Sequence, residues 1–390
     1  MLPVVNIKKH HQDRLIAGSP WIFSNEIDNF SSLKNLASGS LVQINIGDSS
    51  LAIGYFNPKT LISCRILTYN CKQQINSVFF IDKINNALQV RNRFFNNNYY
   101  RLIHSEADGL PGLIIDRFAN VFVCQISTAG MQNLQPMLLQ ALENIFVDAK
   151  IIFKNNSEAR ALEGLEINHT SEEISPINLQ ENGINFNVDV SKSQKTGWFF
   201  DQAPSRTFAA SLAKDARVLD AYCFVGGFGI NALAQGAKEV VFIDSSRPAL
   251  DLTKINCQNL LGDNYQNKCT FYHGQVFDVL QQPSLDTFDI ILLDPPPFIQ
   301  SKKHLFAGLR GYEKLVKMSL PLLKPNGILM LASCSHHANT DQLITAVSNA
   351  INKSKKTGRL IAKLGAGPDH PIHPALPESE YLKSLFFVIN

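Results

Sequence analysis

From residue 217 onward, short and mainly apolar runs recur at 217–219, 240–243, 270–272, 290–293 and 328–332, with helix-spaced segments between them. Two further runs, 359–364 and 385–389, close the chain. Strands buried on both faces read as continuous apolar stretches, and parallel neighbours need a crossover long enough to hold a helix. The pattern predicts an α/β fold with a doubly wound parallel sheet. In such a sheet ligands sit outside the carboxyl ends of the strands, so the residues just after each run are the ones to read for chemistry.

The first of these strand ends is RVLDAYCFVGGFGINAL, residues 217–233. It reads as a strand, a turn with Gly226, Gly227 and Gly229, and a helix resuming at Ile230. Glycine permits positive φ and close backbone approach, and a helix start offers free amide donors, so the turn is a candidate cofactor loop. The spacing is not that of the dinucleotide fingerprint, and glycines after a strand also occur with no ligand nearby.

The other strand ends add to it. Asp244 closes the second strand, where a carboxylate can accept both ribose hydroxyls of a nucleoside or simply cap the next helix. Gly274 and Gln275 follow the third, DPPPF (294–298) the fourth, and SCSHH (333–337) the fifth. Consecutive prolines fix φ and remove amide donors, so 294–298 reads as a rigid wall presenting Asp294. Polar or rigid elements at five successive strand ends point to a site more strongly than any one motif.

The chain has 390 residues, enough for two or three domains. With 45% hydrophobic and 18% charged residues it is expected to fold as a globular protein. Its apolar runs fall short of the roughly 20 residues of a spanning helix, and the N-terminus lacks a signal-peptide pattern, so the expected location is cytoplasmic. Seven scattered cysteines without a C-x-x-C pair argue against a disulfide framework and against zinc. A net charge of +3 is compatible with a nucleic-acid partner without establishing one.

Residues 1–72 read as a small β-barrel with strands near 41–46, 51–56 and 62–67. Lys8, Lys9, His10, His11 and Arg14 form a basic lead-in to Trp21. They are either a solvated arm or phosphate contacts beside aromatics that stack on bases. Residues 73–190 read as an α+β unit with helices at 78–95 and 137–146 and strands at 113–116, 121–126, 150–154 and 184–190. Within it His104, Glu106 and Asp108 alternate, which suits a hydrogen-bonded turn better than a metal site. Residues 191–390 hold the parallel sheet.

Several longer stretches carry a resemblance. YRLIHSEADGLPGLIIDR (100–117), KTGWFFDQ (195–202), GGF (226–228), DPP (294–296), RGY (310–312), SCS (333–335), DHP (369–371) and PESEYLK (377–383) are similar to class I S-adenosylmethionine-dependent methyltransferases. They resemble most closely the cytosine carbon-5 methyltransferases of large-subunit ribosomal RNA. The resemblance covers nearly the whole length and implies a Rossmann-like seven-stranded methyltransferase sheet, preceded by a PUA barrel and a central α+β domain.

It also implies roles. The Asp220–Gly229 turn, with Phe224, Gly226, Gly227 and Phe228, would hold the methionine part of S-adenosylmethionine, and Asp244 its ribose. Gln275 stands where relatives usually carry an acidic residue near the adenine, and Pro297 where they often carry Lys. Lys302 or Lys303 would then supply that charge to the RNA. Cys334 would be the nucleophile, the plain alternative being a buried small hydrophobe. Asp294 would serve both the cofactor and the cytosine, near nitrogen 3, and is also a candidate proton acceptor. Phe298 would stack on a flipped base, and Lys8, Lys9 and Arg14 would contact RNA. The base that removes the carbon-5 proton is not assigned, although His336 and His337 neighbour Cys334 in sequence. Oligomeric state is open, a homodimer included.

Two other readings remain. An exocyclic-amino methyltransferase needs an aromatic directly after Asp-Pro-Pro, whereas here Pro297 intervenes and Cys334 would be idle. A catalytically silent RNA-binding module would keep the fold and transfer nothing.

Overall fold

The computed structural model describes residues 2–167, 176–191, 196–282 and 285–390. Lys195, the first residue of the KTGWFFDQ stretch, lies outside them. The chain divides into two compact units: Met1–Ile177 with Asp189–Trp198 and Pro368–Ser379, and Asn178–Val188 with Phe199–Gly367 and Glu380–Asn390. No helix among the described residues is long and apolar enough to cross a membrane.

The first unit contains two sheets. Strands β1 (Val4–Ile7), β2 (Trp21–Phe23), β3 (Ser40–Ile46), β4 (Ser49–Phe56) and β5 (Ile62–Thr68) pair in the order β1-β3-β4-β5-β2. Only β1 and β3 run parallel. Alternate inward residues, among them Val42, Ile44, Phe56, Cys64 and Ile66, close over Val5, Leu15 and Ile22. The second sheet is β6 (Tyr99–His104), β7 (Leu113–Phe118), β8 (Val121–Ile126) and β9 (Lys150–Phe153), joined in that order and covered by the helices Ser77–Arg91 and Ala129–Ile145. The second helix starts well before residue 137, where the sequence pattern places it. It runs through Pro136 because its first turns bury Ala129, Gly130, Met131 and Leu134. A Cβ on Gly130 would lie 2.0 Å from the Tyr55 ring, so this residue sets the helix against the first sheet. Packing there outweighs the missing proline amide.

The acids of the 104–108 turn, Glu106 and Asp108, are taken up by hydrogen bonds within the turn and to Trp21 and Arg91. Asp108 accepts the His104 N–H at 2.6 Å and the Arg91 guanidinium at 2.9 and 2.6 Å. Glu106 accepts the Trp21 indole N–H at 2.8 Å and the Ser105 hydroxyl at 2.6 Å. Asp369 joins the same buried network, accepting the Arg101 backbone N–H at 2.9 Å, while Arg101 forks onto Asp116 at 2.8 and 3.0 Å. The family-like stretches 100–117 and 369–371 thus meet as an ion-pair network that holds the first unit together.

A hairpin, β10 (Ile177–Glu181) and β11 (Ile184–Val188), belongs largely to the second unit: the Asn187 N–H reaches Asn256 Oδ1 at 2.7 Å, and Glu181 pairs with Arg206 through two 2.6 Å contacts. The unit is built on a seven-stranded sheet of β12 (Arg217–Ala221), β13 (Glu239–Asp244), β14 (Cys269–His273), β15 (Phe288–Leu293), β16 (Leu323–Ser333), β17 (Gly358–Leu364) and β18 (Lys383–Ile389). Their order is β14-β13-β12-β15-β16-β18-β17. The first five are parallel, and β18 runs antiparallel between β16 and β17. The chain leaves β12 outward through β13 and β14, then returns to its other side at β15. That reversal opens a crevice at the carboxyl ends of β12 and β15.

Candidate functional site

The turn after β12 is organised by backbone conformation before any ligand is considered. Tyr222, Phe224 and Gly226 take φ of 63°, 51° and 84°. Left-handed backbone is costly for Tyr and Phe, so the surroundings must hold it. They do: the Phe224 N–H donates to Asp244 Oδ2 at 2.8 Å, and its carbonyl accepts from Thr253 Oγ1 at 2.9 Å. Two of the glycines answer to packing. A Cβ on Gly226 would meet Thr253 at 2.7 Å, and one on Gly229 would meet Phe242 at 2.3 Å, so the helix Gly227–Ala234 can lie directly on the sheet. Phe228 is buried on that helix at 6% exposure.

Asp220 faces inward at 1% exposure and accepts the Gly229 N–H at 2.7 Å. Its part is to pin the helix start. Burial pushes its carboxyl up to about 7, and the nearby charges of Asp294 and Asp244 add to the rise. The strand ends therefore bring three carboxylates into one crevice. Asp244 is partly exposed; besides the Phe224 N–H it accepts that of Ser246 at 2.8 Å, which leaves acceptor capacity for two more donors. Gln275 is exposed at the end of β14, ahead of the short helix Val276–Val279.

Asp294 follows β15 and accepts from Gln202 Nε2 at 2.9 Å. Gln202 is 4% exposed and its carbonyl is met by the Ser384 hydroxyl at 3.4 Å. It closes the KTGWFFDQ motif, where nothing local marks it for this role. The Phe298 ring lies 4.8 Å from that of Tyr312 and 6.2 Å from that of Phe277, as part of the sheet's core, so much of the ring is engaged inside the protein. Beyond it, a cavity of about 400 Å³ is lined by Phe298, Gln300, His304, Ala307 and Gly308. Lys302 and Lys303 are exposed just before the helix Leu305–Ser319.

Cys334 follows β16 and is partly exposed. The serines beside it fix its turn. Ser333 shares a 2.8 Å hydrogen bond with the Tyr312 hydroxyl, and the Ser335 hydroxyl donates to the Ile299 carbonyl at 2.8 Å. Lys383 Nζ donates to the Ser335 carbonyl at 2.8 Å. Burial raises the Tyr312 phenol, with Cys334 and Asp294 contributing in the same direction, so its hydroxyl feels both groups. His336 is exposed, its ring 5.4 Å from that of Tyr381, and the Tyr381 hydroxyl donates to Asp201 Oδ2 at 2.5 Å.

The basic lead-in of the first unit divides into two kinds of residue. Arg14 is paired but partly exposed, its side chain at 37%: it bonds Glu26 at 2.8 and 2.6 Å, contacts Ser19 and lies over the Phe23 ring. Lys8 donates to the Asn25 carbonyl at 2.9 Å, and both Lys8 and Lys9 are exposed.

Comparison with known proteins gives the family and the domains. The family model for S-adenosylmethionine-dependent methyltransferases matches residues 160–387, and a model for PUA-like domains matches residues 5–69. The chain is 34% identical to a Ribosomal RNA large subunit methyltransferase I of Aliivibrio fischeri over 373 residues, covering 93% of each. It is 33% identical to the protein of that name from Photobacterium profundum over 396 residues, covering 98% of each. Among solved structures it resembles a Streptococcus mutans protein classed as a SAM-dependent methyltransferase, with TM-score 0.81, 19% identity and coverage of 99% of this chain and 100% of that one. That likeness concerns the fold.

Proposed function

Because the chain belongs to the S-adenosylmethionine-dependent methyltransferase family, together with proteins named Ribosomal RNA large subunit methyltransferase I, we propose that it methylates carbon 5 of a cytosine in large-subunit ribosomal RNA. The crevice suits the cofactor in its chemistry: a cationic nucleoside would meet Asp244, which has acceptor capacity for the ribose, with Asp294 at the neighbouring strand end. The Asp220–Gly229 turn, with Phe224, Gly226, Gly227 and Phe228, would hold the methionine part, and Gln275 would lie near the adenine. When bound, S-adenosylmethionine supplies an electrophilic methyl group.

The observation that carries the choice of cytosine is Cys334, held by three clamps at a strand end beside that of Asp294. Carbon 5 of cytosine is a poor nucleophile until a thiolate adds to carbon 6. The Cys334 sulfur would form that bond, and electron density would move toward nitrogen 3. Asp294 would hydrogen-bond the ring there as that charge develops. Once carbon 5 carries the methyl group, a base, for which Asp294 is a candidate, takes the carbon-5 proton; the freed pair restores the carbon 5–carbon 6 double bond and the carbon–sulfur pair leaves with the Cys334 thiolate. A paired base is out of reach, so the target is unpaired or flipped out. Lys302 and Lys303, with Lys8 and Lys9, are the proposed phosphate contacts; Arg14 would act there only by giving up Glu26. Residues 1–72 would serve RNA register, 73–190 apart from the 178–188 hairpin would form the middle domain and 191–390 apart from 368–379 would carry the chemistry, in a cytoplasmic protein.

The test is to supply labelled S-adenosylmethionine and unmodified ribosomal RNA and to identify the product nucleoside. 5-Methylcytidine is expected. An N-methylated nucleoside would favour amino-group chemistry, and no transfer to any RNA would leave a silent binding module. Asp244→Ala is expected to weaken cofactor binding about 10- to 100-fold by titration calorimetry, the worth of a lost charge-assisted hydrogen-bond pair.

A further inference from the structure

We propose that Lys383 positions and activates Cys334, its ammonium clamping the turn that carries the thiol and favouring the thiolate. In the β16–β18 pairing Lys383 stands opposite Ser333, one residue before Cys334. Its Nζ reaches past that pair to the carbonyl of Ser335, one residue after Cys334, at 2.8 Å. The ammonium is thus tied to the backbone on the far side of the cysteine. Lys383 is 9% exposed and Ser335 2%, so the charge acts through little water.

The interaction is felt at the lysine. Burial pulls its ammonium below the ordinary lysine range, while Glu380 and Cys334 pull it back up. A thiolate that stabilises a cation is stabilised by it in turn. The other titratable groups around the turn are Tyr312 and Asp294 on one side, and His336, His337, Tyr381 and Asp201 on the other. Asp294 carries the sign that opposes a thiolate, which sharpens the need for a cation. The PESEYLK stretch thereby gains a role at its last residue.

The importance of this pair for methyl transfer rests on the reading of Cys334 as nucleophile; the pairing itself can be tested without it. Iodoacetamide alkylation of the full-length protein is followed at each cysteine by peptide mass spectrometry from about pH 5 to about pH 10. Cys71, the other partly exposed cysteine, serves as internal reference. In the native protein the Cys334 midpoint is expected below the ordinary thiol value of about 8.5. Lys383→Gln keeps a donor for the Ser335 carbonyl and removes the charge. It is expected to raise the midpoint by about one pH unit and slow alkylation near pH 7 about tenfold. Lys383→Arg is expected to stay near the native profile.

A native midpoint at or above that of Cys71 overturns the proposal, and this measurement requires no variant to fold. So does an unchanged midpoint in Lys383→Gln. Should the Gln variant lose its circular dichroism signal, the Arg variant decides: a profile no nearer the native one than to that of Cys71 overturns the proposal. If alkylation behaves as expected but RNA containing 5-fluorocytosine forms no covalent complex with native protein, the nucleophile reading fails while the Lys383–Cys334 pair stands.

Discussion

Cys334→Ala is expected to lower methyl transfer to RNA by about a thousandfold or more, equivalent to roughly 4 kcal/mol of barrier, while leaving cofactor affinity within about a factor of two. The loss follows from the substrate: without a bond to carbon 6 the ring carbon has no enamine character to offer. The sparing of affinity follows from the fold. Cys334 is partly exposed, and the shape of its turn is kept by Ser333, Ser335 and Lys383. Removing the sulfur leaves those bonds in place, so the variant is expected to fold and to titrate S-adenosylmethionine normally.

RNA carrying 5-fluorocytosine gives the companion measurement. Fluorine cannot leave carbon 5 as a proton does, so the adduct is trapped and survives a denaturing gel. The native protein is expected to form it and Cys334→Ala to form none. A complex that persists in the variant places the nucleophile elsewhere.

The parallel sheet was legible because buried strands write their apolar runs directly into the sequence, and the residues after them need no long-range information to be found. Asp244, Asp294 and Cys334 emerge at neighbouring carboxyl ends for that reason. The last two strands, β17 and β18, were also visible as runs, but the antiparallel insertion of β18 between β16 and β17 depends on pairing that no local pattern encodes. Gln202 and Lys383 were hidden for the same cause: each reaches the site from a segment far along the chain. β1 and β2 have four and three residues, too few for periodicity to speak. The glycine turn was legible as a turn; the packing beneath it was not. Gly226 and Gly229 are required by Thr253 and Phe242 beneath them, so closeness to a ligand is not needed to explain them. Phe298 and Arg14 carry contacts that no local pattern encodes: both stay partly exposed while engaged by Tyr312 and Glu26.

Asp220→Asn is expected to flatten the pH dependence of stability between about pH 4 and about pH 7, by roughly 4 kcal/mol in total. In the unfolded chain the carboxyl ionises near 4, whereas burial and the charges of Asp294 and Asp244 push it up to about 7 in the fold. Between these values the folded protein holds the proton that the unfolded chain has lost. Its contribution is whole below about pH 4, falls as pH rises, and is gone once the folded group ionises near 7. Asparagine cannot ionise, yet its Oδ1 can still accept the Gly229 N–H that pins the helix start. Urea titrations at steps of pH should therefore show stability falling more steeply with pH in the native protein than in the variant; an equal slope in both refutes the assignment. Two consequences then separate. If Asp220 serves only as a hinge pin, the variant will be more stable at neutral pH and bind S-adenosylmethionine as before. If its charge also serves the cationic cofactor, the gain in stability will be matched by weaker binding above about pH 7, where only the native residue becomes an anion.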